Sequence, residues 1–199
     1  MAAPSGATTD RRTALLDAAL HVIGTRGLRE ATHRAVETQA GVPHGSVTYW
    51  FGNRDGLLAA AVERMRELDE HRVAAMAQQL VMAFATSGLD AVIDAVAEGG
   101  AAMFEADTVV QMARYEMLLA GARDEAIGPL IRECSRAFWE LAKPVVIAAG
   151  SQDPDGDARV LMAMLDGLFF DQLTKGERDP ELLRRGIRQA LRSVAPQAT

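Results

Sequence analysis

No stretch of this 199-residue chain alternates apolar and polar residues between turn signals, and aromatic residues make up only 5% of it. A half-buried strand needs that alternation, because successive side chains point to opposite faces of a sheet. What recurs instead is a spacing of three and four. Leu15, Leu16, Ala19, Leu20 and Ile23 form one apolar stripe on a helix predicted over 10–26, with Gly27 as its stop. A second, short helix begins after Thr32 as N-cap and ends at Ala40–Gly41, and a third covers 44–51. Asn53 caps a long fourth helix reaching about residue 84 along Leu58, Val62, Met65, Val73, Met76 and Leu80. Five more are expected near 88–104, 107–121, 124–148, 155–175 and 179–193, divided by TSG, EADT, GARDE, GSQDPDG and GERDP. Pro144 should kink the seventh, since it removes a backbone hydrogen bond. Disordered tails are expected at 1–8 and 195–199. The predicted fold class is therefore all-α, with nine helices.

The composition, 49% hydrophobic and 24% charged, is that of a globular protein with a sizeable core. No apolar run approaches the ~18 residues that would span a bilayer. The opening MAAPSGATTD has neither the basic residues nor the apolar block of a signal peptide. A lone cysteine, Cys134, cannot close an internal disulfide, and together these features predict a cytoplasmic protein. The net charge of −6 is unevenly spread: residues 1–66 hold eight arginines against six carboxylates, a net of +2, and the rest carries −8. A small nucleic-acid-binding module on an acidic body would have that pattern. His21, His33, His44 and His71 lack metal-ligand spacing, and no nucleophile elbow, phosphate loop or Cys–His signature occurs. No catalytic residue, metal or cofactor is predicted, and the chain does not read as an enzyme.

Residues 40–58, AGVPHGSVTYWFGNRDGLL, break the helical pattern in an orderly way. Two short helices joined through a glycine make a helix-turn-helix, whose second helix can enter the major groove of DNA. Gly41 can take the left-handed conformation that ends the first helix, and Pro43 suits the start of the next because it has no N–H to lose. Val47, Trp50 and Phe51 share one helical face, predicted to point inward. His44, Gly45, Thr48 and Tyr49 share the other, and with Ser46 they are the candidate contacts of the reader helix. Thr32 and Asn53 stand at helix N-termini, where free N–H groups favour phosphate, with Arg34 and Arg54 close behind.

Residues 11–64 closely resemble the N-terminal domain of the TetR family of bacterial transcriptional regulators. The matching stretches are LLDAALHVIGTRG, the capping Thr32, AGVPHGSVTYWF and NRDGLL. Several positions depart from the family's habit: His33 replaces an apolar residue, Glu37 a small one, Thr48 a tyrosine, Trp50 a histidine and Arg54 a lysine. Tyr49 is then left to supply the phosphate contact that the family's tyrosine makes. The resemblance implies a DNA-binding domain over 9–52 and a ligand-binding and dimerisation domain over 53–194. It implies a repressor that binds double-stranded palindromic operator DNA as a homodimer and responds to a small-molecule effector.

Within the body, Met103, Phe104, Met112, Tyr115, Met117, Phe138 and Trp139 are the methionines and aromatics that could line a cavity, a stripe that composition alone would read as core. Gln111, Arg114, Glu116 and Arg136 fall on the same helices and could orient a ligand, although each taken alone reads as a solvated or surface-paired side chain. The eighth helix, VLMAMLDGLFFDQL, is hydrophobic on nearly every side and so needs cover on both faces. By the resemblance, the last two helices form the dimer interface, with Leu161, Leu165, Leu168, Phe169, Leu183 and Ile187 as its candidates. The competing reading is a helical small-molecule binder or enzyme whose N-terminal helices are structural only.

Overall fold

A computed structural model describes residues 5–148, 150–175 and 179–193; the side chains of 5–9, 72–89 and 103 lie outside that description. Every regular element is helical among the described residues: α1 (Ser5–Arg26), a 3-10 turn (Leu28–Glu30), α2 (His33–Ala40), α3 (Ser46–Phe51), α4 (Arg54–Ala106), α5 (Thr108–Gly121), α6 (Gly128–Ala148), α7 (Pro154–Thr174) and α8 (Pro180–Ser193). The all-α expectation holds, with three local differences. The fourth and fifth predicted helices are one, since α4 runs unbroken through residues 86–88. Residues 5–8, predicted as tail, already belong to α1, whereas the tail positions 1–4 and 195–199 lie outside the described residues. Helix α3 begins at Ser46 rather than residue 44, because Gly45 has φ 90, which no right-handed helix accepts. Pro144 lies inside α6, which stays helical on both sides of it.

The chain divides into two compact units, Met1–Asp69 with Val109–Glu133, and Glu70–Thr108 with Cys134–Thr199. In the first, α1 packs on α2 and α2 on α3. The predicted stripe of α1 is buried, as are Val36 on α2, Val47 on α3 and Leu57, Leu58, Ala61, Val62 and Met65 on α4. Arg64 ties α4 to α1 through Asp17 at 2.8 Å. The start of α5 also belongs here. A Cβ on Gly24 would meet the Val109 carbonyl oxygen at 2.0 Å, so the α1 backbone is bare where α5 arrives. Nearby, the Leu28 N–H donates to the Glu116 carboxylate at 3.3 Å.

The second unit holds the 90–106 part of α4 together with the 134–148 part of α6, α7 and α8. Phe104 and Phe169 stack with ring centroids 5.5 Å apart, and Leu161, Leu183, Ile187 and Leu191 are buried in the same unit. Along the outside, three arginines of α8 one turn apart meet three carboxylates of α4. Arg184 bonds Glu98 at 2.8 Å, Arg188 bonds Asp94 at 2.5 Å and Arg192 bonds Asp90 at 3.3 Å. Asp153 caps α7 through the Gly156 N–H, with Pro154 in the first turn where its missing N–H costs nothing.

Candidate nucleic-acid interface

The reader helix is short and is fixed from outside itself. A six-residue helix cannot hold its own shape in water, because nucleation costs more than so few hydrogen bonds return. Val47 anchors it as the fully buried residue, with Trp50 and Phe51 half-buried beside it, which is the predicted inward face. Arg12 lies over the Phe51 ring at 5.6 Å. Gly41, with φ 66, closes α2, and Gly52, with φ 75, closes α3. A Cβ at Gly56 would lie 2.2 Å from the Phe51 carbonyl oxygen, so the start of α4 can press against the end of α3 only with glycine there.

The strongest brace is Glu37, a carboxylate only 3% exposed on α2. One oxygen, Oε1, accepts from the Gly45 N–H at 2.9 Å and the Val47 N–H at 3.0 Å, and so caps α3 from a different helix. The other, Oε2, lies 3.1 Å from Nδ1 of His44. Burial pushes the Glu37 carboxyl up, but the Val47 N–H, His44 and the Gly45 N–H together hold it below the ordinary 4.5. Spacing alone misses this residue, because an acid at that position reads as surface. Its one signal is its place immediately after the buried Val36, on a helix too short to waste a face.

The other predicted contacts divide in two. Thr32, Arg34, His44, Gly45, Thr48, Tyr49 and Asn53 are exposed, and Tyr49, at 79%, stands out among the large hydrophobic side chains described. The Tyr49 ring stands edge-on to Trp50 at 5.1 Å, which holds it away from the core. Thr48 Oγ1 lies 3.3 Å from His33 Nδ1, joining the start of α2 to the middle of α3. Thr32 accepts from the Ala35 N–H and Asn53 from the Gly56 N–H, so both are N-caps as predicted. Ser46 and Arg54 differ from expectation and are half-buried. The Ser46 hydroxyl donates to the Pro43 carbonyl at 2.6 Å, and Arg54 Nη2 donates to the Leu28 carbonyl at 2.9 Å. Both are at least partly spent on the scaffold.

The candidate ligand residues fall in both units. In the first, Met117 is fully buried while Met112 and Tyr115 are half-buried. On the same helix Gln111 is buried, and Arg114 joins it to the buried Asp69, so these polar groups are not a solvated face. In the second unit Phe104 is buried in its ring stack, and Phe138 and Trp139 are half-buried, with Arg159 over the Trp139 ring at 4.7 Å. The Met103 side chain lies outside the described residues.

The candidate dimer residues are placed differently from expectation. Leu161, Phe169, Leu183 and Ile187 are buried within the chain, and Leu165 and Leu168 are half-buried. The apolar side of α7 that faces outward is instead Val160, Ala163, Met164, Gly167 and Phe170, with Val160 at 48%, Met164 at 42% and Phe170 at 44% exposure. A helix apolar all round shows only that two faces need cover, not which of them faces its own chain. No group of three or more His, Cys, Asp or Glu that could hold a metal occurs among the described residues, and none of their helices is long and apolar enough to cross a membrane.

A braced reader helix with exposed polar and aromatic residues, carried at one end of an all-helical chain, defines a helix-turn-helix regulator. Residues 15–61 match the family model for bacterial regulatory proteins of the tetR family, and residues 87–197 match the tetracyclin repressor-like C-terminal domain. The chain belongs to the TetR family. It is 27% identical over 192 residues to the HTH-type transcriptional regulator BetI of Cronobacter sakazakii, covering 94% of this chain and 93% of that one. The HTH-type nicotine-responsive transcriptional repressor HdnoR of Paenarthrobacter nicotinovorans is 28% identical over 170 residues, covering 80% of this chain and 82% of its own. The crystal structure of the multidrug binding protein EbrR complexed with imidazole superposes with a TM-score of 0.67 at 28% identity, covering 95% of this chain and 97% of that one.

Proposed function

We propose that this chain is a cytoplasmic repressor that binds a palindromic operator as a homodimer and leaves it when a small apolar or amphipathic molecule binds its body. The observation that carries the reading is Tyr49, 79% exposed on a helix whose other face is buried and whose N-terminus is held by Glu37. An aromatic side chain so exposed on so rigid a support serves contact with another molecule rather than packing.

The dimer rests on the outward stripe of α7. Val160, Ala163, Met164, Gly167 and Phe170 recur at three and four, the spacing of a helix seam, and Gly167 leaves room for close approach. Leu165 and Leu168 border that stripe. A two-fold axis through it would present two reader helices to two half-sites of one operator. An effector is supported by the relatives, one named for its response to nicotine and one described as multidrug binding. The half-buried Met112 and Tyr115 of α5 are accessible enough to meet such a molecule.

The test is a mobility shift with DNA from upstream of the chain's own gene, repeated over a salt series and with nicotine and a panel of aromatic amines. Salt-sensitive, sequence-specific binding is expected, with a ligand from the panel weakening it some 5- to 150-fold, the usual range of a coupling of ~1–3 kcal/mol. Operator DNA must weaken binding of that ligand by the same factor. A pocket ligand that binds tightly and leaves operator affinity unchanged contradicts the switch.

A further inference from the structure

We infer that Glu37 fixes the tautomer of His44 and so makes His44 a reader of the single base it faces in the major groove, favouring adenine or cytosine, whose amino groups donate there, over guanine or thymine. This rests on the proposed binding of DNA through α3. An ionised carboxylate only accepts hydrogen bonds, and Oε1 of Glu37 is already engaged by two backbone N–H groups. Those two bonds and its burial hold the carboxylate in place, so it is His44 that must adapt. With Oε2 at 3.1 Å, Nδ1 of His44 carries the hydrogen. A neutral imidazole has one N–H, so Nε2 on the far side of the ring keeps its lone pair.

The His44 side chain is 73% exposed, and its Nε2 lies opposite the nitrogen held by Glu37. In the major groove adenine N6 and cytosine N4 donate, whereas guanine O6 and N7 and thymine O4 accept. A lone pair on Nε2 accepts from the first pair of bases and repels the second. His33 provides the contrast within the same motif. Its Nδ1 faces the Thr48 hydroxyl, which can donate or accept and therefore selects neither tautomer. The histidine held by a carboxylate is a defined acceptor, and the histidine held by a hydroxyl is not.

The experiment has two arms. Long-range proton–nitrogen NMR of the full-length, nitrogen-15-labelled protein at pH 8.5, where an ordinary imidazole is neutral, reads the tautomer directly. His44, assigned by its loss in His44→Ala, is expected to show hydrogen on Nδ1. Glu37→Gln keeps Oε1 as an acceptor for the two backbone N–H groups but turns an NH2 towards Nδ1, so the hydrogen should move to Nε2. The second arm selects operators from a randomised pool. Glu37→Gln should shift the preference at one symmetric position by about fivefold, from adenine or cytosine towards guanine or thymine, the scale of one neutral hydrogen bond. In the His44→Ala background the same change should alter no preference.

Hydrogen on Nε2 of His44 in the unmodified protein overturns the inference, whether or not Glu37→Gln folds. So does a shift in preference by Glu37→Gln that persists without His44, because Glu37 would then act on the helix alone. Specific binding with unchanged preference in Glu37→Gln contradicts the tautomer device but leaves the regulator standing. A protein that selects no sequence from the pool overturns both.

Discussion

Tyr49 and Glu37 show what single residues would contribute to the proposed DNA interface, one by exposure and the other by burial. Tyr49→Ala removes a ring that is 79% exposed and stands edge-on to Trp50, so the melting temperature should stay within a degree or two while operator affinity falls roughly tenfold. A thermal melt and a fluorescence anisotropy titration of the same variant check both halves. Glu37 has the opposite profile. Its pKa is held below the ordinary 4.5, so the stability it contributes is present above that value and is lost as pH falls through the folded pKa. The melting temperature should therefore fall on acidification below about pH 4.5, and less steeply in Glu37→Gln; equal slopes would show that the carboxylate does not brace α3. Much of the motif's local structure was legible in the sequence because Thr32, Gly41 and Asn53 act within a few positions of themselves. What was not legible were the bonds of longer reach. Glu37 to Val47, ten positions on, and Arg54 to Leu28, twenty-six back, depend on how helices meet rather than on spacing.

Whole elements were mistaken in two ways, both traceable to signals with more than one meaning. The TSG at 86–88 contains the residues that end helices, yet α4 continues through it. A glycine ends a helix only by turning left-handed; kept helical it costs about 1 kcal/mol, which neighbouring turns absorb. Helix α7 offers apolar residues on every side, so its four dimer candidates, Leu161, Leu165, Leu168 and Phe169, could equally be core; Leu161 and Phe169 are buried within the chain, as are Leu183 and Ile187 on α8. The meeting of α1 and α5 was invisible for another reason: Gly24 carries no periodic signal, yet its missing side chain is what admits the Val109 carbonyl. Gly24→Ala should push α5 off α1 and destabilise the fold by ~1–3 kcal/mol, measured by urea unfolding. Since Met112 and Tyr115 ride on the same helix, that variant should also alter the response to an effector more than it alters DNA affinity without one. A variant as stable as the parent would show that the contact yields freely.

At the scale of the whole molecule, the account requires two copies acting as one. Met164→Glu places a charge in the outward stripe of α7, where the side chain is 42% exposed, so the chain should fold normally and sediment as a monomer. Phe169→Glu would place the charge in the ring stack with Phe104 and should instead unfold the body. A Met164→Glu protein that remains dimeric at micromolar concentration moves the interface elsewhere. The measurement closest to the central claim is a hydroxyl-radical footprint of the unmodified protein on its selected operator. Two protected patches on one face of the duplex are predicted, related by a two-fold axis and centred one helical turn, roughly 34–36 Å, or a multiple of it apart. Both patches should fade together when the Met164→Glu monomer is used at the same concentration. A single patch, or protection spread evenly along any DNA supplied, contradicts a paired reader and with it the function proposed for this chain.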